Sequence, residues 1–206
     1  MTSLFLATRN PKKLRELRRE LGRILAESGG HVDVLGLDDV APYDEPAETE
    51  STFEGNALIK ARAGLAATGL PSLADDSGLC VDFMHGMPGV LSARWAGVEE
   101  EKDDDANNAL LLAQLRDVPE HERGAQFRCA IAFCSPDDRE IVVEAEMRGR
   151  VSTELRGSGG FGYDPLFVPD GQSRTSAEMT DDEKDRISHR GKALREIAPV
   201  VAAILT

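Results

Sequence analysis

The chain has 206 residues, 41% of them hydrophobic, and a formal net charge of −13 from 24 Lys and Arg against 37 Asp and Glu. This length fits one domain with a sizeable core, and the composition is typical of a soluble globular protein. Because an acidic chain is a poor general binder of nucleic acid and of anionic membranes, both are excluded as partners, and any phosphate must be held by a local cluster of donors.

The cysteines and the first residues bear on location. Three cysteines, Cys80, Cys129 and Cys134, are too few and too odd in number for a disulfide framework, which favours a reducing compartment. No basic leader precedes the short apolar run 4–7, so we expect no signal peptide, and no segment approaches the length of a membrane span. We therefore predict a cytoplasmic protein.

The first third of the chain has the pattern of a strand, a helix and a second strand. Residues 4–7 are apolar, Asn10 and Pro11 are suited to the N-cap and first position of a helix that ends at residues 28–30, and residues 32–35 form the next strand. This order predicts a βαβ unit and a partly parallel sheet. After an acidic loop, residues 38–50, Ser51 and Glu54 form a plausible capping box for a helix that runs to about Thr68.

Two adjacent carboxylates, Asp75 and Asp76, follow the largely apolar residues 71–74 (PSLA). We interpret that segment as a short strand that ends at Ser77-Gly78, which would leave two negative charges close together at its end. A cation that joins such a pair relieves the repulsion, and carboxylate oxygens suit Mg²⁺. The alternative is a solvated turn, since Asp, Ser and Gly are common turn residues.

The second half of the chain alternates turns, strands and helices. Residues 86–89 are expected to form a tight turn, and the charge run 99–105 a solvated loop that leads into a leucine-rich helix. Alternation predicts antiparallel strands over 125–134 and 140–151, joined by the turn 135–138. Thr180 and Glu183 make a capping box for a C-terminal helix.

Two segments suggest contacts with phosphate. Residues 8–13 (TRNPKK) lie where the first strand meets the first helix, and N–H groups at a helix N-terminus bind anions, helped by a nearby lysine. Asn56 and Lys60 share a helix face from which Lys60 could reach a phosphate. The alternatives are an ordinary capped helix and a solvent-facing polar stripe.

A glycine-rich loop and a cationic segment come late in the chain. The loop 157–162 matches G-x-G-x-x-G, but no amphipathic helix follows, so a dinucleotide site is a weak interpretation. We interpret it as a loop that lets Phe161 or Tyr163 approach a flat ligand; the alternative is a hairpin loop with core aromatics. Lys184 and His189 lie among further cations but on different faces of an ideal helix, so the helix must be irregular if both contact one ligand.

Taken in order, these segments resemble the inosine/xanthosine triphosphate pyrophosphatases, which act on non-canonical purine nucleotides. The resemblance covers nearly the whole chain. The matching segments are residues 6–13 (LATRNPKK), 52–57 (TFEGNA) with 60–61 (KA), 73–79 (LADDSGL), 88–94 (PGVLSAR), 159–167 (GGFGYDPLF), 177–179 (AEM), 183–184 (EK) and 187–194 (ISHRGKAL).

The resemblance implies a fold, an activity and an assembly. The fold would be α/β, with a mixed twisted sheet flanked by helices, in a single domain over residues 1–206 that has two lobes and a central cleft. The enzyme would be a homodimer that uses Mg²⁺ to hydrolyse ITP, dITP or XTP between the α and β phosphates, releasing the monophosphate and pyrophosphate.

The resemblance also implies residue roles, position by position. The residues that would hold the triphosphate are Thr8, Asn10, Lys13 and Lys60, with Ser77 also touching substrate. The metal would be bound by Asp76, which also accepts a proton, with Asp75 beside it and a second acidic ligand from the preceding loop, Glu48 or in reserve Glu45. The residues that would line the base pocket and hold the base edge are Phe161, Gly162, Tyr163, Asp164, Lys184, His189 and Arg190.

Three positions depart from the family pattern: Arg9 in place of Gly, Gly55 in place of Glu, and Asp185 in place of Asn. Two other functions fit parts of the chain. One is a nucleotide sensor that binds without cleavage, against which the intact pair of carboxylates weighs. The other is a pyrophosphatase for a modified pyrimidine triphosphate, which a substrate panel would distinguish.

Overall fold

The computed structural model describes residues 2–27, 32–44, 46–97 and 103–205 of the chain. Its strands are β1 Thr2–Leu6, β2 Val32–Leu35, β3 Ser72–Val81, β4 Gly124–Cys134, β5 Glu140–Val151 and β6 Phe167–Pro169. Its α-helices are α1 Pro11–Glu27, α2 Phe53–Thr68, α3 Asp104–Gln114, α4 Asp181–Ile187 and α5 His189–Leu205. Short 3₁₀ helices lie at Leu37–Asp39, Asp82–Met84, Gly89–Arg94, Glu120–Glu122 and Ser176–Glu178.

The strands form one mixed sheet in the order β2-β1-β3-β4-β5-β6. Strand β1 pairs in parallel with β2 and β3, as the predicted βαβ unit requires, whereas β5 and β6 pair antiparallel. Strands β4 and β5 are neighbours joined by a turn in which the Ser135 N–H donates to the Arg139 carbonyl, and so short a connection joins antiparallel strands. The predicted α/β class with a mixed sheet is confirmed.

The chain divides into two compact units. The first comprises the described residues of Met1–Asp76, Cys129–Ala145 and Arg190–Thr206, and the second those of Ser77–Arg128 and Glu146–His189. That both belong to one domain with two lobes and a cleft stays a prediction.

Each unit has its own hydrophobic core. In the first, the apolar stripe of α1 and the buried face of α5 pack on β1 and β3, and the residues involved include Leu4, Leu6, Leu17, Leu21, Leu73, Leu194 and Ile197. In the second, residues from β3, α3, β4 and β6 pack together, among them Leu79, Leu111, Leu115, Phe127 and Phe167. Cys80, Cys129 and Cys134 are buried free thiols, as the expectation of no disulfides requires.

The prediction that a short strand ends at Ser77-Gly78 is wrong, because β3 continues through both residues to Val81. A Cβ on Gly78 would lie 2.3 Å from the Gly89 carbonyl oxygen and 2.4 Å from Ser92 Oγ. The glycine therefore serves a close approach inside the strand and not a turn. As a consequence, Asp75 and Asp76 lie in mid-strand, where consecutive side chains point to opposite faces of the sheet.

Two helix boundaries also differ from expectation. The prediction that Ser51 and Glu54 cap helix α2 is wrong. The N-cap is Thr52, whose side chain accepts from the Gly55 N–H. With the cap at Thr52, the third helical position is Gly55, which has no side chain to complete a capping box. The predicted end at Thr68 is confirmed, with Gly69 in the left-handed conformation. Helix α3 begins at Asp104 with Asp103 as its cap, so the charge run predicted as loop already contributes its first turn, whereas residues 98–102 lie outside the described part.

The C-terminal helix predicted as one element is two. Thr180 and Glu183 form the predicted capping box of α4, but Ser188 is extended (φ −63°, ψ 151°) and α5 starts at His189. Lys184 and His189 thus lie on different helices. The helical segment is therefore irregular between them, as it would have to be if both residues contacted one ligand. The predicted end of the first helix at residues 28–30 lies outside the described residues.

Candidate active site

Asp75 lies on the face of the sheet covered by α1 and α5. Its Oδ2 is 2.9 Å from Lys13 Nζ and accepts from both Nε and Nη2 of Arg190 at 3.2 Å. The remaining terminal nitrogen of Arg190, Nη1, donates to Glu16 Oε2 at 2.7 Å. Asp75 and Arg190 are only 1% and 2% exposed, so this is a buried cluster of two cations and two anions.

The charges around Asp75 keep it ionised. Burial alone would raise the pKa of Asp75, but the positive charges of Lys13, Arg190 and Lys60 outweigh burial and lower the pKa well below its usual range. The same cluster keeps Arg190 charged, because the carboxylates of Glu16 and Asp75 raise its pKa against the effect of burial. A buried charge is tolerated when it is paired and hydrogen-bonded in this way.

Asp76 faces the opposite side of the sheet, toward α2. Its Oδ1 is 3.3 Å from Lys60 Nζ and its Oδ2 accepts from Asn56 Nδ2 at 3.2 Å. The same Lys60 ammonium donates to Glu48 Oε1 at 2.9 Å. Two carboxylates, from β3 and from the loop before α2, therefore meet at one cation.

The pKa values of this second group are shifted by burial and by the charges. Burial raises the pKa of Asp76, as do Glu48 and Asp75, and these effects exceed the opposing ones of Lys60 and Lys13. For Lys60, burial lowers the pKa, but Asp76, Asp75 and Glu48 more than compensate and raise it to about 12. The ammonium of Lys60 is thus held as a cation between the carboxylates.

Asn56, which is fully buried, ties the loop that carries Glu48 to α2. Its Oδ1 accepts from the Glu50 N–H at 2.9 Å and its Nδ2 donates to the Glu50 carbonyl at 3.2 Å. At Gly55, a Cβ would lie 2.6 Å from Glu50 Cβ, so this departure from the family pattern lets the loop pack against the first turn of α2. Asn56 therefore positions both Asp76 and the loop of Glu48.

The acidic residues suit a hard divalent cation in their chemistry. Within the described ranges, no group of three or more His, Cys, Asp or Glu is placed to hold a metal ion. Asp76 and Glu48 nevertheless offer oxygen ligands to one positive charge, the Lys60 ammonium, and oxygen is the ligand atom that Mg²⁺ prefers. The bonds of Asp75 run to Lys13 and Arg190 on the other face, and Glu45 lies outside the described residues.

The junction of β1 and α1 has the predicted cap. Asn10 Oδ1 accepts from the N–H groups of Lys12 at 3.0 Å and Lys13 at 3.2 Å, which confirms Asn10 as the N-cap before Pro11. Thr8, two residues after the end of β1, is buried, and Arg9 donates through Nη2 to the Tyr43 carbonyl at 2.6 Å.

Within the second unit, Asp164 joins two of the residues predicted to bind the nucleotide base. Its Oδ2 accepts from the Phe161 N–H at 2.8 Å and from Lys184 Nζ at 2.6 Å. The same ammonium lies 5.0 Å from the centre of the half-buried Phe161 ring, within the range of a cation–π contact. Gly160 has φ +69°, and a Cβ there would lie 2.1 Å from Asp164 Oδ2, so glycine is required for this approach.

Three further residues predicted to touch the substrate, Ser77, Tyr163 and His189, also lie in the second unit. The Tyr163 hydroxyl donates to the Ser92 carbonyl at 3.0 Å, and burial raises the pKa of Tyr163. The His189 ring stacks on Phe127 with centroids 5.0 Å apart, and Ser77 is half-buried in β3. The base-pocket and substrate-contact roles of these residues stay predictions.

The structure gathers the predicted residues into two groups, one in each unit. The first unit holds Thr8, Asn10, Lys13, Glu48, Lys60, Asp75, Asp76 and Arg190. The second holds Ser77, Phe161, Gly162, Tyr163, Asp164, Lys184 and His189. Arg190, predicted with the base residues, makes its bonds to Asp75 and Glu16, so its role at the base edge stays a prediction.

Two participants in the first group were missed from the sequence. Glu16 lies three residues after Lys13 and so on the same face of α1, which is a usable signal. For Asn56, the sequence indicates only a helix face shared with Lys60, because its bond to Asp76 depends on the register between α2 and β3.

The mixed sheet defines an α/β protein, and its predicted site residues pair carboxylates with buried cations. A model of the Ham1 family matches residues 4–200. A dITP/XTP pyrophosphatase from Nocardia farcinica is 58% identical over 205 residues, which are 99% of this chain and 97% of that protein. The chain belongs to the Ham1 family, which confirms the family predicted from the motifs.

Two solved structures agree with this assignment. That of a dITP/XTP pyrophosphatase from Mycobacterium abscessus is 52% identical, with a TM-score of 0.76 and coverage of 96% of this chain and 100% of the other. That of the Ham1 protein from Staphylococcus aureus is 32% identical, with a TM-score of 0.84 and coverage of 98% and 100%. No helix in the described part of the chain is both long and apolar enough to span a membrane.

Proposed function

We propose that this chain hydrolyses non-canonical purine nucleoside triphosphates, namely ITP, dITP and XTP, to the monophosphate and pyrophosphate in a Mg²⁺-dependent reaction. The observation that carries the proposal is the meeting of the Asp76 and Glu48 carboxylates at the Lys60 ammonium, 3.3 and 2.9 Å away. The names of the relatives from Nocardia farcinica and Mycobacterium abscessus support the substrate class.

The first unit would bind the triphosphate. The N–H groups at the start of α1, with Thr8 and Asn10 before them, form an anion-binding site of the kind found at helix N-termini. Lys13 and Lys60 would neutralise the β and γ phosphates, which makes pyrophosphate a better leaving group. Both lysines are already held in place by carboxylates, Lys13 by Asp75 and Lys60 by Glu48 and Asp76.

Asp76 would carry the chemistry at the α phosphorus. Asp76 and Glu48 would hold Mg²⁺, whose charge polarises the phosphorus when it is bound. The oxygen of a water molecule forms a bond to the α phosphorus, the bond from that phosphorus to the bridging oxygen breaks, and pyrophosphate leaves. Asp76 orients the water and takes its proton, a role for which Asn56 and Lys60 fix the carboxylate.

The second unit would recognise the base. Hypoxanthine and xanthine carry an oxygen at C6, an acceptor that donors from Lys184 or His189, or from Arg190 of the first unit, would meet. Adenine carries an amino group at that position and would leave those donors unpaired. A site built for a hydrogen bond rejects analogues that cannot make it by large factors. Phe161 would supply a ring on which the base stacks.

We further propose that both units act on one nucleotide as lobes of a single domain, and that the enzyme is a cytoplasmic homodimer that takes neither nucleic acid nor membrane as a partner. The acidic charge of the chain and the buried free cysteines support this setting.

A substrate panel tests the proposal. Pyrophosphate release is measured from ITP, XTP, ATP and a modified pyrimidine triphosphate, each with and without Mg²⁺. We expect ITP and XTP to be cleaved at least about 100-fold more efficiently than ATP, and only with Mg²⁺. Comparable turnover of ATP and ITP would contradict the base assignment, and binding of ITP without pyrophosphate release would favour a nucleotide sensor.

A further inference from the structure

We propose that Asp104 and Asn108 of α3 form a clamp that sets base specificity by fixing the backbone next to Phe161. The α3 clamp, as we name these two residues, lies outside every motif that carried the family resemblance. The inference deepens the proposed function and rests on it, because it concerns how Phe161 is held for a base.

The clamp holds both polar groups of the Gly162 backbone. Asp104 Oδ2 accepts from the Gly162 N–H at 2.8 Å, and Asn108 Nδ2 donates to the Gly162 carbonyl at 2.8 Å. Asp104 and Asn108 are four residues apart and thus neighbours on one face of α3. On the other side of the aromatic residue, the Phe161 N–H donates to Asp164.

These two hydrogen bonds restrain the backbone at Gly162, a glycine whose conformational freedom would otherwise be large. Gly162 has φ +61°, which glycine adopts readily, and a Cβ there would meet no atom within 4 Å. The glycine is present for its conformation and not for lack of space. Side chains must therefore supply the restraint, and the α3 clamp supplies two hydrogen bonds.

The consequence is a fixed aromatic ring. With its own N–H bound by Asp164, and with the N–H and the carbonyl of the following Gly162 bound by the α3 clamp, Phe161 has little backbone freedom left. Its ring is only half-buried and lies under the Lys184 ammonium. A ring presented in this way stacks on a base without losing further entropy on binding.

The chemistry of Asn108 argues against a purely structural role. Its side chain is 3% exposed, and its Oδ1 has no hydrogen-bond partner among the described residues. A buried amide that is half satisfied stabilises a fold less than an apolar side chain of the same size. Its Nδ2 donates to the Asp104 carbonyl within α3 at 2.7 Å as well, and the donation to the Gly162 carbonyl is the one that joins α3 to the loop.

The test uses kcat/KM of the full-length chain for ITP and ATP, with Mg²⁺. Asn108→Leu keeps the volume and removes the donor, and Asp104→Ala removes the acceptor. We expect each to lower kcat/KM for ITP about tenfold while ATP changes less than about twofold, as for a lost positioning contact. Asp104→Asn keeps an acceptor oxygen and should retain most of the preference for ITP over ATP. The matched control is Asp105→Ala, which removes a charge from the same turn of α3 and should leave that preference unchanged.

A double-mutant cycle separates positioning from folding. If the α3 clamp acts through Phe161, Asn108→Leu should change ITP selectivity less than about twofold in a Phe161→Ala background. Additive effects, or an unchanged ITP to ATP ratio in Asn108→Leu, would overturn the inference. Should Asn108→Leu lack a cooperative thermal transition, the Asp104→Ala cycle decides in the same way. A wild-type chain that fails to prefer ITP would instead refute the proposed function.

Discussion

At the scale of single residues, the site depends on buried charges that hold one another. Arg190 is one of the largest side chains buried in the protein, and it joins Asp75 of β3 to Glu16 of α1. Since Lys13 also contacts Asp75, the position of this residue, which is predicted to hold the triphosphate, depends on the cluster. An arginine is suited to the task because its fork of donors can serve two carboxylates at once.

Removal of Arg190 should destabilise the fold strongly. Arg190→Met leaves two buried carboxylates with one cation, and we expect the free energy of unfolding to fall by about 3–5 kcal/mol. Urea denaturation followed by circular dichroism measures the change. The matched control is Arg195→Met on the same helix, where the guanidinium lies 4.0 Å from Glu20 and is 36% exposed, so the loss should stay under about 1 kcal/mol. Equal losses in both variants would contradict the account of the cluster.

At the scale of elements, glycines have opposite consequences in β3 and α1. Gly78 is inside a strand, where a Cβ would lie within 2.5 Å of two oxygens of the Gly89–Ser92 segment. Gly22 is exposed in α1, and a Cβ there would meet nothing within 4 Å. The first glycine is required by packing and the second is not.

This difference predicts opposite effects of one substitution. Gly78→Ala should lower the free energy of unfolding by at least about 1–3 kcal/mol, because the strand must shift away from its neighbour. Gly22→Ala should raise it by about 0.5–1 kcal/mol, because alanine favours a helix. Thermal unfolding of the two variants checks both signs. A tolerated Gly78→Ala would restore the view that Ser77-Gly78 ends the strand.

The elements also show what could be predicted from the sequence. Hydrophobic periodicity and caps gave β1, α1, β2 and the capping box of α4, since these depend on neighbours along the chain. The continuation of β3 through Gly78 was missed because its cause, the close approach of Gly89, is distant in sequence. The break at Ser188 was foreseen only as a condition on the contacts of Lys184 and His189.

The candidate site was predictable to a similar degree. The residues matched by motif stay predicted site residues, and the structure places Glu48, preferred over Glu45 without a motif, at the Lys60 ammonium that Asp76 also contacts. Pairings were not predictable: Asp75 and Asp76 were expected at one place, whereas each bonds to different helices on opposite faces. Two further contacts, that of Glu16 with Arg190 and that of Asn108 with the Gly162 carbonyl, depend on the register between elements and could not be predicted either.

At the scale of the whole molecule, the proposed reaction divides between two units with separate cores. The residues proposed to bind the triphosphate are in the first unit, and those proposed to hold the base are in the second. Two residues depart from this division: Arg190, predicted at the base edge, is in the first unit, and Ser77, predicted to touch substrate, is in the second. This division predicts that substitutions in the first group lower turnover of every triphosphate, whereas those in the second change the ranking of bases. Membership of the Ham1 family supports the reaction. The proposed mechanism assigns the proton acceptor to Asp76, so a test of Asp76 tests that mechanism.

The most direct measurement is pyrophosphate release from ITP with Mg²⁺ by the wild-type chain, by Asp76→Asn and by the exposed control Asp170→Asn. We expect Asp76→Asn to lose at least about 100-fold in kcat while its circular dichroism spectrum stays that of the wild type, because the proton acceptor is gone and the shape is kept. Asp170→Asn should match the wild type. Turnover by Asp76→Asn close to that of the wild type would contradict the central claim.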